Sequence, residues 1–186
     1  DVVYDETVSD ENLYGADETY KLLVSNKTDP KKTLSVRFKN TSYDTASVSA
    51  GSDAYISILL PTDDGKVSAV RDEYGKEVYY ISKVICVKNK GTSKSESIEL
   101  HKDGEYWLIP KEYITGDLSL EVYCKSLMRI CLKDSSGGEA NATAVIVDNE
   151  TSHLIGTEDN GNLYVEKNHP VTVTFCPKEG FEILSV

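Results

Sequence analysis

Short stretches of alternating apolar and polar residues run along the chain from Thr19 onward, separated by Gly, Pro, Asn and Asp. A period of two is typical of β-strands that bury one face, and the separating residues are typical of turns. No window of about 11 residues or more has the spacing of an amphipathic helix. The sequence therefore predicts a nearly all-β chain of antiparallel sandwich architecture. The predicted strands are residues 20–24, 34–38, 54–60, 67–71, 78–87, 97–100, 106–109, 118–123, 128–132, 142–147, 163–166, 171–176 and 181–186.

The alternation also predicts where two cysteines point. In residues 118–124 every second position is apolar, and this series includes Cys124, so we expect Cys124 to face the interior. In residues 171–176 the apolar face is formed by Val171, Val173 and Phe175. Cys176 then lies on the opposite, threonine-bearing face, where we expect it to be exposed or to lie between sheets.

The distribution of charged residues and of turn residues divides the chain into three parts. Residues 1–18 are rich in Asp and Glu and contain no Lys or Arg, which predicts an acidic linker or loosely attached arm. The alternative is that Val2–Tyr4 forms an edge strand. Residues 19–125 are predicted to form a complete β-sandwich unit, and residues 127–186 a second, truncated unit.

An internal repeat supports this division. Residues 48–70 and 164–186 align without a gap, so that Pro61 coincides with Pro177, and each copy reads as strand, Pro-containing turn and strand. Because the second copy stops at Val186, we expect the natural protein to continue, or another segment or chain to complete the sheet.

Charge and hydropathy exclude several classes of partner. The formal net charge is −11, from 20 Lys and Arg against 31 Asp and Glu, which disfavours nucleic acid and anionic membranes. No apolar run approaches the roughly 20 residues that span a bilayer. The chain starts at Asp1 without a leader, so we expect a mature or excised fragment whose targeting signals have been removed.

Four cysteines occur, at positions 86, 124, 131 and 176, without CxxC spacing, so the usual zinc and redox signatures are missing. Their even number suits a secreted protein, but the spacing leaves the disulfide state of Cys86, Cys124, Cys131 and Cys176 open.

Two segments resemble repeat modules of secreted and cell-wall proteins of Gram-positive bacteria (Firmicutes). Residues 103–122, DGEYWLIPKEYITGDLSLEV, resemble the closing segment of such modules. Residues 171–186, VTVTFCPKEGFEILSV, are similar to the "VTVT, Pro, Glu-Gly-aromatic" segment of internalin B-repeat-type surface repeats, although Cys176 replaces a small residue. The resemblance implies tandem bacterial immunoglobulin-like (Ig-like) units in an extracellular multidomain protein, without catalytic activity.

Residues that carry catalytic or metal chemistry do not cluster in the sequence. His101, His153 and His169 are isolated and predicted to be solvated, and no nucleophile elbow, phosphate loop or dinucleotide fingerprint occurs. We therefore predict that the chain is not an enzyme and needs no cofactor. Two acidic loops, residues 62–65 and 158–162, contain oxygen ligands that would suit Ca²⁺, but ordinary acidic turns explain them better.

Aromatic residues are the strongest binding signal, because the chain has 12 Tyr against 3 Phe and 1 Trp. Tyr and Trp suit stacking on sugar rings or a protein partner. Tyr79 and Tyr80, like Tyr106 and Trp107, are adjacent on a predicted strand, so one of each pair should face outward. These four residues are the candidate ligand-binding residues, with Trp107 the one expected to fill the core.

Three functional hypotheses follow. The leading one is a structural or adhesive module of a bacterial surface protein, whose partners are neighbouring modules. The alternative is a carbohydrate-binding module of a polysaccharide-degrading system, which binds a polysaccharide or host glycan through exposed Tyr. A third is a protein-docking module that adds a partner strand to an open sheet edge.

Overall fold

A computed structural model describes residues 18–158 and 163–184, and the predicted all-β class is confirmed. One short 3₁₀ helix, Lys111–Tyr113, interrupts the strands, and no helix of the described residues could cross a membrane. The predicted acidic arm lies outside the described residues except for Glu18. The strands are β1 Thr19–Asn26, β2 Ser35–Phe38, β3 Ser47–Ser49, β4 Ala54–Thr62, β5 Gly65–Val67, β6 Ala69–Arg71, β7 Glu77–Lys88, β8 Glu96–Glu99, β9 Lys102–Asp103, β10 Tyr106–Ile109, β11 Leu118–Ile130, β12 Ala142–Asp148, β13 Leu154–Glu158, β14 Leu163–Glu166 and β15 Val171–Pro177.

The described residues form two compact units. Unit 1 takes in the residues up to Ser68 together with Lys83–Tyr123, and unit 2 takes in Ala69–Ser82 together with the residues from Cys124 onward. The chain passes from one unit to the other between Ser68 and Ala69, within β7 and within β11. The division predicted from sequence, 19–125 and 127–186, remains a prediction.

Unit 1 contains two groups of paired strands. In one, β2, β4, β10 and β9 are neighbours in that order, with β5 also paired to β4. In the other, β3, β1, β11 and β7 follow one another, and β8 pairs with β7. The turn predicted at Asp103-Gly104 joins β9 to β10, and Gly104 adopts a positive φ of 63° there, which suits a residue without a Cβ.

Alternation along β4 shows how the sequence builds the interior of unit 1. Ala54, Ile56, Ile58 and Leu60 are buried, whereas the residues between them are half-buried. On the neighbouring β10, Trp107 pairs with Ile56, and both are buried. Each strand therefore contributes one apolar face, and burial of such faces stabilises the fold by about 25 cal/mol per Å² of apolar area.

One ladder departs from the expected antiparallel arrangement. β1 and β11 run parallel over five residue pairs, from Leu22–Leu118 to Asn26–Val122. The first strand of unit 1 is therefore hydrogen-bonded to the last strand of the same unit. Nothing in the local pattern of either strand signals this pairing, because both patterns suit parallel and antiparallel neighbours equally.

Unit 2 contains shorter ladders and a smaller buried core. β6 pairs with the first part of β7, β14 pairs with the last part of β11, and β12 lies between β13 and β15. The buried apolar residues of unit 2 are Ile81, Cys124, Ala144, Ile146 and Val165. Large apolar side chains are also exposed in this unit, namely Tyr74, Met128, Leu154, Phe181, Ile183 and Leu184.

Several predicted strand bounds are wrong. Residues 118–123 and 128–130 belong to one continuous strand, β11, whereas residues 131 and 132 lie beyond its end. Residues 67–71 divide into β5 and β6 around Ser68. β3, β9 and β13 were not predicted. Residues 181–184, predicted as a strand, do not form one, and Phe181, Ile183 and Leu184 are exposed there. Apolar composition alone does not form a strand where no neighbour supplies hydrogen bonds.

The ungapped repeat is also wrong as a structural correspondence. It aligns Tyr55, Ser57 and Leu59 with Val171, Val173 and Phe175. On β4 those positions form the less buried face, whereas on β15 the aligned positions form the more buried face. A shift of one residue exchanges the two faces of a strand, so the alignment superposes opposite faces.

Burial of the cysteines follows the predicted alternation. Cys124 is buried and Cys176 is exposed, as expected, and Cys86 is buried while Cys131 is exposed. No disulfide joins any of the four within the described residues. Burial raises the pKa of the Cys86 thiol to about 12, so this side chain acts as a small apolar core residue.

Adjacent leucines on β1 provide a test of the assigned faces. Leu22 is 2 % exposed and Leu23 is 61 % exposed. We expect Leu22→Ala to lower the free energy of unfolding by about 3 kcal/mol, since a buried leucine is replaced by a cavity. Leu23→Ala should change it by less than about 0.5 kcal/mol. Urea unfolding of both variants measures the difference, and equal losses would contradict the face assignment.

Candidate functional site

The predicted pair Tyr106 and Trp107 lies on β10 with its members on opposite faces, as expected. Trp107 is 7 % exposed and belongs to the core, so its ring is not available as a stacking platform. Tyr106 is half-buried on the other face. Of this pair, only Tyr106 can offer a ring face to a ligand.

Strand register brings a second tyrosine onto the face of Tyr106. Leu108 of β10 is opposite Tyr55 of β4, and Tyr106 shares the face of Leu108 because it lies two residues away. Lys39, which follows β2, donates its backbone N–H to the carbonyl oxygen of Tyr55 at 2.8 Å. We call Lys39, Tyr55 and Tyr106 the tyrosine–lysine face.

Lys39 holds its charge above both tyrosines of this face. Its Nζ lies 5.3 Å from the ring centroid of Tyr55 and 5.3 Å from that of Tyr106. These distances allow cation–π attraction, worth about 0.5–1 kcal/mol at an exposed site. A cleft lined by Lys39, Phe38, Asp53 and Tyr55 adjoins the face, with a volume of about 320 Å³. The arrangement combines ring faces, a cationic donor and a carboxylate.

Asp44 neutralises the neighbouring cations. Its carboxylate accepts a hydrogen bond from Lys66 and one from Arg37 Nε, the latter at 2.9 Å. The Lys66 and Arg37 hydrogen bonds lower the pKa of Asp44 to about 2. Among the described residues no such carboxylate pairs with Lys39, so the charge of Lys39 is the one that this face presents to solvent.

The second predicted pair, Tyr79 and Tyr80, lies on β7 in unit 2, so the two predicted pairs belong to different units. Both tyrosines are half-buried. Tyr80 lines a groove of about 370 Å³ together with Arg71, Lys76 and Leu127. Tyr79 pairs with Val70 of β6.

The tip of the β6–β7 hairpin carries aromatic contacts that the sequence did not signal. Asp72 Oδ1 accepts the backbone N–H groups of Tyr74 and Lys76, and its Oδ2 accepts the Tyr164 hydroxyl at 2.5 Å. The hydrogen bond from Tyr164 lowers the pKa of Asp72. The Arg129 guanidinium lies 4.0 Å from the ring centroid of Tyr74. These contacts fasten the hairpin to β11 and β14, which is a structural role.

His169 differs from the solvated imidazole that the sequence predicts. It is half-buried, and its Nε2 lies 2.7 Å from Oδ2 of Asp148. Asp148 Oδ1 also accepts the backbone N–H groups of Glu150 and Thr151 in the turn that follows β12. The Thr151 N–H, supported by His169 and the Glu150 N–H, lowers the pKa of Asp148 to about 2.

The structure describes only part of the two acidic loops whose oxygen ligands would suit Ca²⁺. Thr62–Gly65 forms the β4–β5 turn, in which the Thr62 hydroxyl donates to the Gly65 carbonyl oxygen. In the second loop, residues 159–162 lie outside the described residues. Within residues 18–158 and 163–184, no group of three or more His, Cys, Asp or Glu side chains is placed to hold a metal ion.

Further contacts reinforce the parallel ladder between β1 and β11 at both of its ends. Near its start the backbone N–H of Lys21 donates to Oδ1 of Asp117 at 2.9 Å. At its far end the N–H of Lys27 donates to the carbonyl oxygen of Val122 at 2.8 Å, and Lys27 Nζ lies 3.6 Å from Glu121 Oε1. Lys90 pairs with the same Glu121 oxygen at 2.7 Å, and the Lys90 hydrogen bond lowers the pKa of Glu121.

A buried asparagine ends the same ladder. Asn26 is only 4 % exposed, and its Oδ1 accepts the backbone N–H groups of Thr28 and Asp29. A buried amide that is hydrogen-bonded in this way fixes the chain where it leaves β1. We call the five β1–β11 residue pairs, with Asp117, Lys27 and Asn26, the parallel seam.

Comparisons of the chain with protein-family models, with curated proteins and with solved structures find no match. The tyrosine–lysine face and the parallel seam are the two structural features that bear on the function of this chain.

The Asp148–His169 pair predicts a pH-dependent stability. Because the pKa of Asp148 is lower in the folded chain than its usual value near 4, its contribution is present above about pH 4 and is lost as the pH falls towards about 2. We expect Asp148→Asn to lower the melting temperature at pH 6 and to have little effect near pH 2. Melting curves across this range measure the difference. A loss that is independent of pH would contradict the assignment.

Proposed function

We propose that this chain is a non-catalytic structural and adhesive module of a secreted or cell-wall-attached bacterial protein, built from tandem Ig-like β-sandwich units. The observation that carries the proposal is the parallel seam, in which the first and last strands of unit 1 are paired over five residues. A module that holds a neighbour away from a cell wall has to resist tension along its chain. The geometry of its terminal strands decides whether it can.

Parallel terminal strands resist tension well. The chain enters β1 at Thr19, near the Leu22–Leu118 pair, and leaves unit 1 after Tyr123, beyond the opposite end of the ladder. Tension between these points acts along the strands in opposite directions and loads all the ladder hydrogen bonds together. An antiparallel terminal pair would instead open one hydrogen bond at a time from its end.

The contacts at the two ends of the seam add to this resistance. The Asp117 carboxylate accepts a hydrogen bond near the start of the ladder, and Lys27 makes two contacts at its far end. An ordinary hydrogen bond contributes about 1 kcal/mol net, and one to a charged group about 1.5–3 kcal/mol. Because these contacts lie at both ends, sliding of β1 along β11 breaks them together with the ladder.

Pulling direction provides the test. We expect a full-length chain pulled through handles at positions 19 and 123 to unfold at a force several-fold higher than the same chain pulled through handles at positions 27 and 123. The first geometry shears the seam, whereas the second opens it from one end. Single-molecule force spectroscopy measures both forces.

Asp117→Ala provides the matched variant for that experiment. It removes one acceptor of the seam, so it should lower the force for positions 19 and 123 and leave the force for positions 27 and 123 nearly unchanged. Equal forces in the two pulling directions, in the unsubstituted chain, would refute the load-bearing role.

A second candidate function, carbohydrate binding, is favoured by the tyrosine–lysine face. Lys39 lies at equal distance from two tyrosine rings, and Asp53, whose Oδ1 accepts the backbone N–H of Lys111, lines the adjoining cleft. Aromatic rings stack on the apolar faces of sugars, and Lys and Asp can bind sugar hydroxyls. A pyranose ring could displace Lys39 sideways and stack on Tyr55 or Tyr106.

Tyrosine replacement tests this second function. We expect a polysaccharide that retards the chain in affinity gels to lose at least about tenfold in affinity with Tyr55→Ala or Tyr106→Ala, corresponding to about 1.4 kcal/mol. Tyr43→Ala is the control, because Tyr43 is 68 % exposed and does not belong to the face. Retardation that persists in both face variants, or no retardation by any neutral or acidic polysaccharide, would rule out this site.

A further inference from the structure

The outer edge of β15 is unpaired among the described residues. β15 pairs on one side with β12 over seven residue pairs, from Asp148–Val171 to Ala142–Pro177, and it is the last strand of the order β13-β12-β15. An unpaired strand of this length presents a row of backbone donors and acceptors that another strand can bind.

The register identifies which groups point to that edge. Lys178 donates its N–H to Asn141 O, and Asn149 donates its N–H to Pro170 O, so the even-numbered residues of β15 exchange hydrogen bonds with β12. The odd-numbered residues Val171, Val173 and Phe175 therefore direct their N–H and C=O groups away from β12. Pro177 is also odd-numbered, but it has no N–H.

This edge lacks the features that usually prevent pairing. Residues 171–177 contain no charged side chain, although 27 % of the whole sequence is charged. The register of the β12–β15 ladder contains no bulge, and the one proline stands at the end of the strand. Proteins that keep an edge strand alone usually place a lysine, a bulge or a central proline on it.

An incompletely covered apolar row continues onto β15. On the central strand, Ala144 and Ile146 are both 0 % exposed. Their partners on β15, Phe175 and Val173, remain partly exposed on the same face. The β15 side chains are more exposed than those of β12 because β12 has a neighbouring strand on each side and β15 has one. A further strand beyond β15 would therefore bury more of this apolar row.

We propose that this edge binds the β15 of a second copy of the chain, in an antiparallel pair with its two-fold axis at Val173. In this register Val173 is opposite the second copy's Val173, and Val171 is opposite the second copy's Phe175. Each of these pairs, and the symmetry-related Phe175–Val171 pair, exchanges two hydrogen bonds. Pro177 falls outside these pairs, so its missing N–H costs nothing.

The side chains are self-complementary in the same register. On the inner face, valine packs against phenylalanine at both ends and against valine at the centre. On the outer face Thr172 is opposite the second copy's Thr174. Aromatic–β-branched and Thr–Thr pairs are favourable cross-strand combinations, and no like charges meet. In this two-fold pair the β15 edge of each copy is occupied by the β15 of the other. Neither β15 edge remains open to a third copy, so the association ends at a dimer.

Replacing the exposed threonines of β15 with charged residues tests whether two copies pair through this strand. Thr172→Lys/Thr174→Lys places lysines opposite lysines across the axis, and Thr172→Glu/Thr174→Glu does the same with glutamates. We expect the unsubstituted chain to dimerise with increasing concentration in analytical ultracentrifugation and each double variant to remain monomeric. An equimolar mixture of the two variants should restore the dimer, since lysine then faces glutamate.

A control variant shows whether the effect depends on where the charge is placed or only on the added charge. Ser47→Lys/Ser49→Lys adds the same charge to β3, where both side chains are exposed, and should leave the dimer unchanged. Circular dichroism melting of every variant verifies that it is folded. Dimers that survive in both charged β15 variants would show that another surface associates and would overturn the proposal.

A disulfide tests the register itself. In a Cys131→Ser/Cys176→Ser background, Val173→Cys places two thiols opposite each other at a Cα separation of about 5.5 Å, within the range that a disulfide spans. Mild oxidation should cross-link this variant, whereas Val171→Cys should not cross-link, because its partner is Phe175. A chain that is monomeric at every soluble concentration and not cross-linked through position 173 refutes the dimer, whatever the outcome of the force and polysaccharide experiments.

Discussion

The parallel seam is the contact on which the rest of unit 1 depends. It joins residues 96 apart along the chain, as in the hydrogen bond from Lys21 to Asp117, so every other strand of the unit lies inside the loop that it closes. Closing such a loop costs entropy before any contact compensates for it. The buried faces of β1 and β11, with Leu22 paired to Leu118, supply the apolar burial that offsets this cost.

Local sequence predicted the class and the faces of the fold but not its pairings. Alternation correctly placed Cys124 inside and Cys176 outside, and it separated Tyr106 from Trp107, because side-chain direction depends only on a strand's own period of two. The parallel direction of β1 and β11, and the short strands β3 and β9, depend on hydrogen bonds to distant residues. Such information is absent from the segment itself.

In the candidate site, too, the sequence predicted which way a side chain faces but not which strands are neighbours. Sequence reasoning found Tyr106, since an outward aromatic beside a buried one follows from alternation, but it missed Lys39 and Tyr55. These residues reach Tyr106 only through the β2–β4 and β4–β10 registers, which place Tyr55 opposite Leu108. The ungapped repeat failed for a related reason, because resemblance in composition does not reveal which face of a strand is buried.

The free energy of association limits how tightly two copies can pair through the β15 edge. Its three residue pairs exchange six hydrogen bonds at about 1 kcal/mol each, whereas loss of translational and rotational freedom costs about 4–15 kcal/mol. Partial burial of Val173 and Phe175 adds to the favourable side, so the dimer should be weak when the chain is free in solution. Many copies held on one surface would raise the effective concentration without any new contact. A weak edge would therefore suit a tethered module, since copies would associate where they are crowded and dissociate where they are dilute.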